Sequence, residues 1–159
     1  MSAMRNYSVA AMLGKLIAFR LLPGMDLLEG IRDVCEAHGI RQGSLVSGTG
    51  SLRHATFMVA APDESTRLGA GYSEPIVVAG PVEVLGVQGV ILEEDHKVDF
   101  HVHGAFANKE GKVFGGHVVE GENPVLVTLD GVVAELIGPK LGRRYDEEVG
   151  ARVFHPAQE

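Results

Sequence analysis

Apolar positions in the first quarter of this chain recur with the period of a helix. Over residues 25–39, "MDLLEGIRDVCEAHG", the spacing predicts one amphipathic helix. Asp26 is placed to cap its first turn, Glu29 follows three residues on as in a capping box, and Gly39 supplies the stop. The apolar residues that share one helical face are Leu27, Leu28, Ile31, Val34 and Cys35.

After this helix the pattern changes to short β-branched runs separated by glycine. The runs are "SLVSG", "ATFMVAA", "PIVVAG", "VEVLGVQGVIL", "KVDFHVHGAF", "KVFGGHVV" and "PVLVTLDGVVAELI". They predict about seven strands, and therefore an α+β fold with one main helix packed on a mainly antiparallel sheet. Residues 62–74 are expected to form a surface loop, and the tail from 151 onward has too little apolar content for independent order.

Composition narrows the class of protein. The chain has 159 residues, of which 45% are hydrophobic, enough for one domain with a real core. The formal net charge is −7, and Arg143–Arg144 is the only adjacent basic pair. A surface that binds duplex nucleic acid needs clustered Lys and Arg to neutralise phosphates, so the charge disfavours that function.

The sequence also bears on location. Cys35 is the only cysteine, which excludes an intrachain disulfide and fits a reducing cytoplasm, and its place on the apolar helical face indicates core. The apolar run at residues 9–13 is interrupted by Gly14 and Lys15, and is too short for a secretory signal. No stretch has the length of a membrane span. We therefore expect a cytoplasmic protein with no membrane partner.

Candidate chemistry is concentrated in residues 99–117, "DFHVHGAFANKEGKVFGGH". Strand alternation places His101 and His103 on one face together with Asp99. The turn sequence "NKEG" should fold the next strand back so that His117 lies opposite them, with Ala107 expected to pair with Lys112. Three imidazoles from adjacent strands can converge on one metal ion. The alternative is a polar hairpin face with no ligand, because His pairs at this spacing are only weakly diagnostic.

The nearby carboxylates leave further alternatives open. Asp99 is a candidate fourth ligand, a partner that orients an imidazole N–H, or a solvated side chain. Glu120 follows His117 but faces away from it by alternation. Gly115 and Gly116 are expected to leave room beside His117 for a ligand or another subunit. The segment "SGTGSL" at 47–52 is followed by a strand rather than a helix, so it predicts a bulge and not a phosphate loop.

Four segments in this order resemble the plants and prokaryotes conserved (PPC) domain. They are "FRLLPGMDLLEGIRDVCEAHGI", "GSLVSGTGSLRHATF", "GPVEVLGVQGVI" and "HVHGAFANKEGKVFGGHVVEGENPVLVTLDGVVAELI". The resemblance covers about residues 15–137 and is to the stand-alone prokaryotic type, because no Arg-Gly-Arg-Pro core of an AT-hook is present. It implies a strongly bent sheet. We expect a tail or added strand over 1–14, a single domain over 15–140 and an extension over 141–159.

The resemblance also implies properties that spacing does not show. Members with the His-x-His…Gly-Gly-His pattern are associated with a divalent metal, usually zinc, and here its ligands would be His101, His103 and His117. The family is expected to form homotrimers. Four functions stay open: a metal-binding domain with a ligand-binding or regulatory role, a metal-dependent hydrolase or lyase with unknown catalytic residues, a DNA-binding or transcription-associated protein, and a structural trimer.

Overall fold

The computed structural model describes residues 5–158, and over that range the chain forms one α-helix and ten strands. The elements are β1 (Met12–Leu21), α1 (Leu27–Ala37), β2 (Gly43–Met58), β3 (Ala60–Pro62), β4 (Ala70–Tyr72), β5 (Ile76–Glu94), β6 (Lys97–Ala107), β7 (Val113–Val118), β8 (Val125–Ile137), β9 (Pro139–Asp146) and β10 (Ala151–Gln158). This confirms the predicted α+β class with its single main helix. No helix within residues 5–158 is long and apolar enough to cross a membrane.

Six strands form one antiparallel sheet, in the order β1-β8-β2-β5-β6-β7. Strand β8 begins at Val125, opposite Leu52, and the last residues of β2 pair with β7 instead, so the sheet bends back on itself. Register shifts in β2 and β5 permit this bend. The segment at 47–52 lies inside β2 and contains one of these shifts, between Gly50 and Leu52, so the bulge prediction is confirmed.

The helix closes one side of the core. The side chain of Asp26 accepts hydrogen bonds from the backbone nitrogens of Leu28 and Glu29, which caps α1, and Gly39 follows the last turn at φ +68°. The apolar face of α1 packs across β1, β6 and β8. Its fully buried members are Leu27, Leu28, Ile31 and Cys35. The predicted core role of Cys35 is therefore confirmed.

Some element boundaries differ from the predictions. "SLVSG" and "ATFMVAA" belong largely to one long strand, β2, and "PIVVAG" and "VEVLGVQGVIL" belong to β5. Bulges carry these strands through the glycines that the sequence pattern marks as breaks. The 62–74 segment is a loop, but the small β3–β4 hairpin forms its base. At the N-terminus β1 begins at Met12, and residues 1–4 of the predicted tail lie outside the described residues.

The C-terminal residues form β10, which is paired along its length with β9, so their structure depends on a neighbouring strand and not on the low apolar content of the tail. Strands β9 and β10 form a hairpin in which Ala151 pairs with Asp146 and Gln158 with Pro139. Leu141 of this hairpin is buried, and polar contacts also fix the hairpin to the main sheet. The side chain of Gln42 donates to the carbonyl of Pro139 at 2.7 Å and accepts from the backbone nitrogen of Leu141 at 2.6 Å.

Candidate metal centre

The hairpin of β6 and β7 is built around a five-residue turn, 108–112. The Asn108 side chain accepts hydrogen bonds from the backbone nitrogens of Glu110 and Lys112, at 3.1 and 3.0 Å, and Gly111 takes a positive φ of +74°. Ala107 therefore pairs with Val113, one residue later than the sequence prediction. The four-residue turn assumed from "NKEG" omitted Lys112, which the Asn108 side chain draws into the turn.

Side chains on β6 alternate between the core and the opposite face of the sheet, where the histidines lie, as predicted. Val98, Phe100 and Val102 are buried in the core beneath the hairpin. His101 is half-buried and His103 is exposed on the opposite face of the strand. The actual register sets His103 directly opposite His117. The two strands thus bring all three predicted histidines together.

The three imidazoles form one compact cluster. Nε2 of His101 lies 3.2 Å from Nε2 of His103, and one ring nitrogen from each histidine lies within 4.8 Å of the others. Ring centroids are 5.1 Å apart for His101–His103, 5.5 Å for His101–His117 and 5.4 Å for His103–His117. Within residues 5–158 this is the only group of three or more His, Cys, Asp or Glu side chains close enough to share a metal ion.

The glycines before His117 serve strand packing. A Cβ at Gly116 would lie 3.1 Å from the ring of Phe57 and would collide with the backbone of Met58. A Cβ at Gly115 would collide with the backbone of Gly104 on β6. Their contribution is therefore the close approach of β7 to its neighbours, which positions His117, rather than the open space beside it that the sequence suggested.

The surroundings favour the neutral form of two of the rings. Partial burial, and then the charges of the neighbouring His101 and His103, hold the pKa of His117 below its usual range. Partial desolvation, followed by the charge of His101, lowers the pKa of His103. A neutral imidazole has the lone pair that a metal ion requires, so these two rings are suited to coordination near neutral pH.

The two carboxylates considered from the sequence are engaged elsewhere. Asp99 forms an ion pair with Arg143, and its Oδ1 also accepts the backbone N–H of Phe100 at 2.8 Å. Glu120 forms an ion pair with Arg32 across to the helix. Neither carboxylate hydrogen bonds to a histidine of the cluster among the described residues.

Sequence reasoning missed Tyr72, which the structure places against the cluster. Its hydroxyl lies 3.5 Å from Nδ1 of His117, and the two ring centroids are 4.9 Å apart. Tyr72 belongs to β4, inside the segment interpreted as a plain surface loop. The signal available was the presence of Leu68 and Tyr72 in an otherwise polar stretch, because large apolar side chains in a loop often pack against a site.

Comparison with known proteins agrees with this fold. Residues 9–137 match the profile of the Plants and Prokaryotes Conserved (PCC) domain family, also written PPC. The chain belongs to this family. The resemblance inferred from the four sequence segments is therefore confirmed.

Solved structures of two archaeal proteins share the fold. A metal-containing protein of Archaeoglobus fulgidus is 26% identical, with a TM-score of 0.77, over 95% of this chain and 99% of that one. A plant- and prokaryote-conserved protein of Pyrococcus horikoshii is 27% identical, with a TM-score of 0.78, over 93% of this chain and 96% of that one.

A curated relative is much longer than this chain. The bifunctional protein GlmU of Synechococcus sp. (strain JA-3-3Ab) is 26% identical over 136 residues, which are 86% of this chain. The matched part is 20% of that relative, so this chain spans about a fifth of its length.

Proposed function

We propose that this protein binds one divalent metal ion per chain, zinc in the first instance, through His101, His103 and His117. The distance between the Nε2 atoms of His101 and His103 supports this most directly. Two nitrogens that each lie about 2.0–2.1 Å from a tetrahedral zinc ion are separated by about 3.3 Å, and the observed separation is 3.2 Å. An N–H···N hydrogen bond between two neutral rings would give a similar distance, so metal content must distinguish the two.

Tyr72 is suited to support this ligand set. A metal-ligating histidine commonly donates its second ring N–H to an oxygen, which fixes the ring tautomer. The Tyr72 hydroxyl lies 3.5 Å from Nδ1 of His117 and can accept that hydrogen, which leaves the Nε2 lone pair for the metal. When bound, zinc would supply a Lewis acid with one coordination position open to an outside ligand.

The surroundings favour ligand binding or regulation over hydrolysis. A metal-dependent hydrolase or lyase needs a general base within hydrogen-bond reach of the reacting group. Here Asp99 pairs with Arg143 and Glu120 pairs with Arg32. No catalytic residue is therefore proposed.

Charge pairing also weighs against a nucleic-acid interface. Among the arginines that could have formed a basic face, Arg20 pairs with Asp130 and Arg41 with Glu93, in addition to Arg32 and Arg143. With a formal net charge of −7, these pairs leave little positive potential for phosphates.

We further propose the homotrimer that the family resemblance implies. Support comes from large apolar side chains left exposed on the strands of the main sheet, a feature of subunit interfaces. They include Leu16 (58% exposed), Val46 (51%), Leu85 (50%) and Val127 (62%).

Metal content per chain tests the proposal. Tag-free protein is reconstituted with zinc, desalted and measured by inductively coupled plasma mass spectrometry, beside His103→Ala and the matched control His54→Ala. We expect one zinc per chain in the wild type and the control, and loss in His103→Ala, whose exposed side chain can be removed without disturbing the core. Light scattering on the same samples should give the mass of three chains. If zinc were absent from the wild type, or retained in His103→Ala, the proposal would be wrong and the histidines would have only a packing role.

A further inference from the structure

A cavity of about 700 Å³ adjoins the histidine cluster. Its walls come from the loop over residues 65–72, from the β9–β10 hairpin, and from His101 and His117. Cavities of this size hold small organic molecules. The cavity therefore places a candidate ligand site directly beside the proposed metal.

Part of the cavity wall is apolar although it is open to solvent. Leu68 is 62% exposed and Tyr72 is 55% exposed, and both line the cavity on the loop side. Val153 and Phe154 of β10 line it from the other hairpin. Exposed apolar side chains around a concave site often indicate a ligand-binding surface, because an apolar ligand that covers them removes their surface from water.

The charges that line this cavity favour an anion. Arg143 and Arg152 are each neutralised by an ion pair, with Asp99 and Glu94. Arg67 forms no ion pair with any residue of the described range. Its stem packs over Gly150 in the β9–β10 turn, where a Cβ would come within 3.0 Å of the Arg67 Cβ. One uncompensated positive charge is thus held at the wall.

The proposed metal would add to this charge. Three neutral imidazoles leave the double positive charge of a bound zinc ion uncompensated, and the nearest carboxylate on the strand, Asp99, is committed to Arg143. The negative charge of an anionic ligand would be attracted both by the metal ion and by the guanidinium of Arg67. The apolar wall, by contrast, would penalise a small fully hydrated anion, because its remaining charge would be desolvated there.

We infer that the cavity binds a small organic carboxylate with an apolar body. Its carboxylate is attracted by the metal and by Arg67, and its apolar part packs against Leu68, Tyr72 and Phe154. This inference rests on the proposed metal site and adds to it the chemical class of the ligand.

Isothermal titration calorimetry on zinc-loaded protein of measured metal content tests the inference. The probes are 3-methylbutanoate, its neutral isostere 3-methylbutanamide, and inorganic phosphate. We expect the carboxylate to bind at least about tenfold more tightly than the amide, and Arg67→Gln to weaken it about tenfold, since one charge-assisted hydrogen bond is lost. Arg53→Gln is the matched control, because Arg53 is also exposed, forms no ion pair within the described residues and lies outside the cavity.

Each outcome of this experiment decides one point. Stoichiometric zinc with no preference for the carboxylate over the amide would overturn the inference and leave the metal site standing. Equal binding to zinc-loaded and metal-free protein, or tighter binding of phosphate than of the carboxylate, would also overturn it. Absence of zinc from the reconstituted wild type would refute the metal site itself, and the inference with it.

Discussion

Asn123 joins three parts of the backbone from a fully buried position, and its removal gives the strongest prediction about stability. Its side-chain oxygen accepts the backbone N–H of Thr56 at 2.8 Å, and its amide nitrogen donates to the carbonyls of Thr56 at 3.1 Å and Val119 at 2.5 Å. Its own backbone N–H donates to the capping carboxylate of Asp26 at 2.7 Å. Asn123 thus links the end of β2, the segment after β7 and the start of the helix.

The cost of Asn123→Ala follows from these contacts. Three side-chain hydrogen bonds contribute roughly 1 kcal/mol each, and the Thr56 N–H left unsatisfied in a buried place adds about 1–2 kcal/mol. We therefore expect a loss of about 4–5 kcal/mol in the free energy of unfolding. That is a large part of the roughly 5–15 kcal/mol by which a domain is stable.

Urea denaturation followed by circular dichroism measures this loss, at one fixed protein concentration because assembly would contribute to stability. The matched control is Asn108→Ala. The Asn108 oxygen also accepts two backbone N–H bonds, but in the solvent-accessible turn of the hairpin, where water can replace it. The control should lose less than about 1 kcal/mol. If both variants lost the same amount, the reasoning from burial would be refuted.

Asn123→Asp tests the hydrogen bonds apart from the shape of the side chain, because aspartate has nearly the same shape as asparagine but lacks its N–H donors. The aspartate keeps an acceptor for Thr56 but turns an oxygen toward two carbonyls, so its pKa should be raised in the folded state. Because the folded state then binds more protons than the unfolded state, the aspartate variant should lose stability relative to Asn123→Ala as pH rises through that pKa. A difference between the two variants that does not change with pH would contradict this account.

Two further predictions concern pH. Desolvation and neighbouring charge lower the pKa of His103 and His117. Bound metal should therefore persist at pH 7 and be released only below about pH 6.5, as the rings take up protons. Full metal retention at pH 4.5, measured after desalting, would count against a histidine-only site. Burial raises the pKa of the Cys35 thiol to about 11. The folded protein should therefore react with a thiol reagent at pH 8 far more slowly than the urea-unfolded protein. The stability of the folded protein should also fall as pH rises from about 9 toward 11, because the thiol of the unfolded protein ionises first. Equal labelling rates in both states would show that Cys35 is not enclosed.

Features that depend on residues close together along the chain could be predicted from the sequence. The helix from Leu27 is set by its apolar spacing and by the Asp26 cap, and the two faces of β6 follow from the alternation of side chains along any strand. The short turn beginning at Asn108 brings His117 across from His103, with an error of only one residue in register. These contacts are short-range, so local propensity and periodicity are sufficient to predict them.

The surroundings of the histidines, in contrast, depend on contacts between residues far apart in the sequence. Thr56 and Asn123 are 67 residues apart in sequence and Tyr72 and His117 are 45 apart, so their contacts exist only because the sheet bends β2 back onto β7. The same holds for the Asp99–Arg143 pair and for the cavity between the two small hairpins. Sequence periodicity cannot predict such contacts, because they depend on where β-bulges bend the strands. The positions of those bends are determined by the packing of the whole sheet.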